Sequence, residues 1–162
     1  MKRNITFILF LLGLLILFFV YKRYPLDSNP RTLQHVIKKT FKCPDSKIIQ
    51  LEEGSEALYQ VLNNRYDTSF TPEALDDFIK QRYGDNYHFL ANKGNKQVVF
   101  DALTIKKDLD NPITYYFDIA LEVVSPNTAT LKTKVTGSAQ FIEHKIVSIY
   151  FEDQGLLALL RP

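Results

Sequence analysis

Tryptophan is absent from this 162-residue chain, and cysteine and methionine occur once each. A single cysteine excludes an internal disulfide framework and a multi-cysteine zinc site. A surplus of one charge is also lacking. Of the 20 basic side chains only Lys2 and Arg3 precede Lys22, and no acid does, so the rest of the chain sets 18 bases against 18 acids. That neutral body argues against a nucleic-acid partner bound by counterion release. Missing too are G-x-G-x-x-G, a P-loop, H-E-x-x-H and G-x-S-x-G, so no cofactor, phosphate, metal or nucleophile signature is present. A length of 162 residues with 46% hydrophobic side chains fits one folded domain and excludes two large ones.

What the chain does have is one long apolar run. Ile5 to Tyr21 is 17 residues without a charge, flanked by Lys2 and Arg3 before it and Lys22 and Arg23 after it. As a helix it spans about 25 Å, the short end of what a hydrocarbon core requires. Cleavage as a signal peptide needs small residues at the exit, whereas Phe18-Phe19-Val20-Tyr21-Lys22-Arg23 is bulky or charged. The run therefore reads as a retained single-pass anchor whose partner is the lipid bilayer. Cys43 lies well beyond it with no small residue just before, so lipidation is not the means of retention. Counting Lys and Arg near the two ends gives a tie. The four-residue stub decides the orientation: N-terminus in the cytoplasm, the long C-terminal part outside the cell membrane. The domain reading is then 1–4 tail, 5–21 anchor, 22–54 juxtamembrane helix and connector, and 55–162 extracytoplasmic domain.

Beyond the anchor, Arg23 to Asn29 is a spacer containing Pro25. Asn29 as N-cap and Pro30 as first helical residue open a helix carrying Leu33, Val36, Ile37 and Phe41 on one stripe and ending near Cys43-Pro44. Lys22, Arg23, Arg31, Lys38, Lys39 and Lys42 cluster around it, as a solvated face or one lying on anionic lipid. Cys43 to Gly54 is a connector with a possible short strand at Lys47 to Leu51. Two helices follow: Ser55 to Tyr66, with Ala57, Leu58, Val61 and Leu62 on one stripe, and a second opened by Thr71-Pro72 with Ala74, Leu75, Phe78 and Ile79. Gly84 is the expected left-handed terminator of the second.

After Gly84 the period changes from 3.6 to 2. Ile113 to Val124 alternates most cleanly, with Ile113, Tyr115, Phe117, Ile119, Leu121 and Val123 on one face. Similar runs at Tyr87 to Ala91, Gln97 to Lys106, Thr130 to Ile142 and Ile146 to Phe151, joined by short turns, predict an antiparallel meander. Gly137 is expected at a bulge or bend. Leu156 to Leu160 is expected to cover an open edge or end of the sheet, with a binding sequence as the alternative. The fold class is α+β: an N-terminal transmembrane helix, then helices packed on a curved antiparallel sheet of four or five strands.

That order of elements, over roughly Ser55 to Asp153, resembles the cystatin-like superfold that includes ketosteroid isomerase and the nuclear transport factor family. The resemblance implies a sheet curled around its helices. It also implies company among membrane-anchored assembly components of bacterial conjugation and type IV secretion machines. The superfold hosts enzymes, binding modules and scaffolds alike, so function must come from residues.

For catalysis the cone interior needs an ionisable group at apolar parity. Asp101 is the one candidate, sharing a face with Val99, Leu103 and Ile105 if that strand is regular, where burial would raise its pKa. His88 on a strand and His144 in a turn stand apart from one another, and His35 reads as solvated, so no metal pair or triad is expected. Among the aromatics, Tyr59, Tyr66, Tyr83, Tyr87 and Tyr116 divide between core packing and a pocket mouth or partner surface. Tyr116 faces away from the apolar parity and is the candidate for partner contact. The expectation is a single-pass, membrane-anchored binding or assembly module for an envelope-associated complex, with a protein partner and no catalysis. The alternative is a ligand binder or enzyme of the ketosteroid-isomerase type built around Asp101. A regulator acting through the span itself is a third class.

Overall fold

The computed structural model describes residues 27–126, 128–153 and 155–162. The apolar run Ile5 to Tyr21 lies outside them, and no helix among the described residues is long and apolar enough to cross a membrane. The elements in order are α1 (Asn29–Phe41), α2 (Ser46–Ile49), α3 (Glu56–Tyr66), α4 (Pro72–Lys80), α5 (Asn86–Lys93), β1 (Gln97–Lys107), β2 (Thr114–Ser125), β3 (Thr128–Ile142), β4 (Lys145–Glu152) and α6 (Leu156–Leu160). The architecture is α+β, with helices packed on a curved antiparallel sheet. The strands pair in chain order, β1-β2-β3-β4, as the short turns require.

Two segments expected as strands are helical. Lys47 to Leu51 falls in α2 and the turn after it. The Asp45 carboxylate caps the Lys47 N–H at 2.9 Å, and the Asp45 carbonyl accepts from Ile48 and Ile49. Tyr87 to Ala91 belongs to α5, in which Tyr87, His88, Phe89 and Ala91 are all buried. This short helix is buried around most of its surface, with only Asn92 and Lys93 exposed at its end, so its apolar residues do not display a clear 3.6 period. The sheet accordingly has four strands.

The folded unit also begins earlier than Ser55. Leu33, Val36, Ile37 and Phe41 of α1 are wholly inaccessible to solvent, so α1 is part of the core and not a connector lying outside it. It is capped by Ser28, one residue before the expected cap. Its start is tied to one end of the sheet. The Asp27 carboxylate accepts from the Tyr115 hydroxyl, from Lys107 Nζ at 3.3 Å and from the Asn29 N–H at 3.1 Å. Ser28 Oγ and Asn29 Oδ1 sit 3.0 and 3.1 Å from His144 Nδ1. The far end of α1 is fixed where the Val98 N–H donates to the Cys43 carbonyl at 2.9 Å. The helix thus runs antiparallel to β1 along its length.

The inner face of the sheet carries Tyr115, Phe117, Ile119, Leu121 and Val123 from β2, all buried as the alternation predicts. Gly84 and Gly137 serve for space and not for left-handed backbone. The residue at positive φ after α4 is Arg82 (φ 62°). A Cβ on Gly84 would lie 3.1 Å from Leu62 Cδ2 and 3.2 Å from Phe78 Cε1. The register breaks fall at Phe100/Ala102, Val123/Ser125 and Gln140/Phe141, away from Gly137. Gly137 sits directly between Phe117 and Phe151 on neighbouring strands, with the Phe117 ring lying over it. Gly137→Ala would drive a methyl onto the Tyr150 carbonyl and to 2.8 Å from Phe117 Cε2. The backbone oxygen cannot rotate away, so the expected cost is about 3 kcal/mol. Thermal unfolding should register this as a midpoint lower by roughly 10 °C.

β3 outruns β4, which pairs only with Thr136 to Ile142. The C-terminal α6 packs against β3 and α5, with Leu156 and Leu160 fully buried.

Candidate functional site

The cone interior is filled. Rings at centroid distances of 4.9 to 6.2 Å link Tyr87 to Phe41, Phe41 and Phe117 to Phe151, Phe151 to Tyr83, Tyr83 to Phe78, and Phe78 to Phe70 and Tyr66. Tyr66 and Tyr87 are therefore core residues, Tyr83 is half-buried, and Tyr59 and Tyr116 are exposed. Tyr83, Tyr87 and Phe151 of this stack also line an open groove of about 430 Å³ with Arg82 and Asp153.

Asp101 does not face the interior. The register between β1 and β2 slips between Phe100 and Ala102, leaving Asp101 as the extra residue of a bulge. Val98 and Phe100 point toward the core before the slip, Leu103 and Ile105 after it, and Val99 is 44% exposed. Asp101 itself is exposed, so the buried carboxylate expected at that position is not formed.

The openings among the described residues are grooves on the surface. One of about 630 Å³ runs between the end of α1 and the start of β1, lined by Lys38, Lys42, Cys43, Pro44 and Gln97 to Phe100. β1 is an edge strand, and on its outer side only the Val98 N–H has a backbone partner among the described residues. An unpaired edge beside an apolar groove is suited to an extended chain by strand addition, and the exposed Val99 side chain stands beside it. The exposed Lys38 and Lys42 put positive charge on its rim. A second groove of about 430 Å³ shares Lys38, Lys42 and Pro44 and continues the basic surface to His35, Lys39, Ser46 and Arg65.

Behind this surface lies a polar network that sequence spacing does not reveal. The His88 ring, solvent-inaccessible, accepts from the Asp45 N–H at Nδ1 (3.0 Å) and has Nε2 3.2 Å from the Lys39 carbonyl. Both contacts are satisfied by a neutral imidazole protonated at Nε2. Burial, with the nearby Arg65 charge, lowers its pKa to about 4. Arg65 donates to the Asp45 carboxylate at 2.6 Å and to the Lys39 carbonyl at 3.1 Å, while Lys39 Nζ donates to the Arg65 carbonyl at 2.7 Å. Burial works to raise the Asp45 pKa, yet the Arg65 and Lys47 hydrogen bonds hold it below its ordinary value. Lys39 and Arg65 also lie 5.8 and 5.9 Å from the Tyr66 ring centroid. This network clamps α1, α2, α3 and α5 together, so the rim lysines stand on a fixed base.

His144 and His35 are exposed and remote from His88 in the chain, and no cluster of metal-ligating residues occurs among the described residues. Cys43 is buried under the groove floor. Burial pushes its thiol up to about 12, which makes it a packing residue and not a nucleophile. Tyr116 stands on the opposite, outer face of the sheet, 52% exposed, in register with Lys106, Ser138 and Tyr150. Asp108 beside it raises its hydroxyl pKa. The β1 groove and the Tyr116 row are therefore separate surfaces.

No protein-family model matches the chain, and no curated protein does. Solved structures do. A solution NMR structure of a de novo β-sheet design protein from the Northeast Structural Genomics Consortium is 13% identical, covering 77% of this chain and 85% of that one at a TM-score of 0.43. The crystal structure of a protein described as a SnoaL-like polyketide cyclase, from Jannaschia sp. CCS1, is 9% identical, covering 84% of this chain and 92% of that one, also at a TM-score of 0.43.

Proposed function

We propose that the protein is a single-pass, membrane-anchored binding or assembly module whose domain lies outside the cytoplasm and docks an extended, acidic segment of a protein partner along the free edge of β1. One observation carries the reading: an opening of about 630 Å³ flanks an unpaired strand edge and has two lysines on its rim. The anchor is Ile5 to Tyr21. Strand addition supplies affinity through backbone hydrogen bonds, and rim charge selects the partner and speeds encounter.

The test is photocrosslinking of the full chain in its native membrane from position 99 and, separately, from position 116. A discrete adduct at position 99, diminished roughly ten-fold by Lys38→Glu with Lys42→Glu, is the expected result. An adduct at 116 alone would move the partner to the outer face of the sheet. Asp101→Asn is expected to leave partner capture in place, because strand addition uses the backbone of β1 and does not require that carboxylate.

A further inference from the structure

Three large aliphatic side chains stand in solvent at one end of the sheet. Leu109, in the β1–β2 turn, is 97% exposed, Ile113 at the base of that turn 40%, and Ile142 at the end of β3 55%. The topology gathers them: Thr114 pairs with Gln140, the Phe141 N–H donates to the Ile113 carbonyl, and Ile142 opposes Lys145 across the β3–β4 turn. This is also the end where the chain enters. Asp27 is held by Tyr115 and Lys107, and Ser28 and Asn29 lie against His144 of the β3–β4 turn.

The length of chain before that point limits what can cover this corner. Six peptide steps separate Tyr21, the last residue of the apolar run, from Asp27, a reach of at most about 20 Å. We infer that Leu109, Ile113 and Ile142 form a bilayer-facing foot: the domain stands on the lipid surface by this corner, with the two hairpin turns inserted at headgroup depth. The inference rests on the anchor reading and gives it an orientation. Tethering makes the contact intramolecular, so a modest apolar area suffices to hold it.

The charges around the corner suit that placement. The Asp108 carboxylate is turned back onto the Asp110 and Asn111 N–H groups at 2.9 and 3.3 Å, and Lys107 is paired with Asp27. Lys106 and Lys145 lie at the same end, with Asp110 and Glu143 as the remaining acids. The same geometry reassigns the basic residues of α1. The helix leads away from the entry corner, so Lys38 and Lys42 sit about 14 and 20 Å farther along its axis than Asn29. They rim the partner groove at the end remote from the lipid.

The chain's lack of tryptophan supplies the test. Full-length protein carrying a single Leu109→Trp is reconstituted in phosphatidylethanolamine–phosphatidylglycerol vesicles, with and without brominated acyl chains. Leu131→Trp, on the overhanging part of β3, and Leu9→Trp, inside the apolar run, serve as companions. The foot predicts blue-shifted emission at position 109 that brominated lipid quenches roughly two-fold, strong quenching at position 9, and none at 131. Quenching at 9 without quenching at 109 overturns the foot and leaves the anchor standing. Blue-shifted but unquenched emission at 109 overturns it in favour of a protein cover. No quenching at 9 removes the anchor reading itself, and the foot with it.

Discussion

Phe151→Ala is expected to remove about 3–5 kcal/mol of stability, the cost of truncating a buried aromatic where the cavity cannot collapse. Phe151 meets Phe41 edge-on at 5.2 Å, Tyr83 at 5.0 Å and Phe117 at 5.4 Å, so one ring joins α1, the segment after α4, and the middle of the sheet. Against the roughly 5–15 kcal/mol that holds an ordinary domain together, the loss leaves little margin. Chemical denaturation of the variant should show a much lower midpoint with an unchanged slope. A cavity at that place also tests the functional reading. If the filled interior is what denies the fold a ligand site, the Phe151→Ala protein should bind small apolar molecules that the parent excludes. Phe151→Leu, which keeps most of the volume, separates packing from aromatic geometry and is expected to cost less than half as much.

The second large effect is acid sensitivity. The neutral His88 ring has a pKa of about 4 in the folded protein, against 6.5 when exposed. Between those values the unfolded chain binds a proton that the folded chain refuses, so stability falls as pH drops from 6.5 toward 4. The full difference is worth about 3 kcal/mol. His35, lowered in the same direction by burial and by Lys39 and Arg65, adds a smaller contribution of the same sign. Asp45, held below its ordinary value, loses its own contribution only at lower pH, as its carboxylate protonates and releases Arg65. Unfolding free energy measured across this window should fall steeply in the parent. In His88→Gln the fall should shrink to the His35 part, offset by Asp85, whose pKa burial raises and whose contribution has the opposite sign, from a lower starting stability. An equal slope in both proteins would show that His88 is not the group responsible. Histidine resonances followed by NMR would locate the titration directly, since three histidines are easily told apart.

The two predictions also mark what the chain discloses without coordinates. β2 is legible because one face is dry and the other wet along its whole length, so Tyr115 to Val123 announce their parity. α4 is legible because Thr71-Pro72 starts it and Ala74, Leu75 and Phe78 share a stripe. α5 is not, since a helix buried around most of its surface loses the contrast on which periodicity depends, and Tyr87, Phe89 and Ala91 then imitate a strand. Asp101 is displaced from its expected face by a single inserted residue, which exchanges inside for outside and leaves no mark in composition. The His88 network is invisible for a different reason. Its partners are the backbone of Lys39 and Asp45, 49 and 43 residues away, and backbone groups carry no sequence signal. The β1 groove escapes notice because an edge strand and a central strand read alike until pairing is known.

β3 carries one more implication. From Thr128 to Val135 it has β2 on one side and no strand on the other, and α6 packs against β3 with two leucines wholly buried. Bare strand edges recruit copies of themselves, and the exposed Lys132 and Lys134 are the kind of residue that discourages it. The segment from Leu156 onward packs against α5 and β3 with Leu156 and Leu160 buried, while Thr128 to Lys132 of the strand stay exposed, so charge and not cover is what guards that edge. Replacing Lys132 and Lys134 by valine would therefore leave the partner groove intact and expose the edge to a second copy.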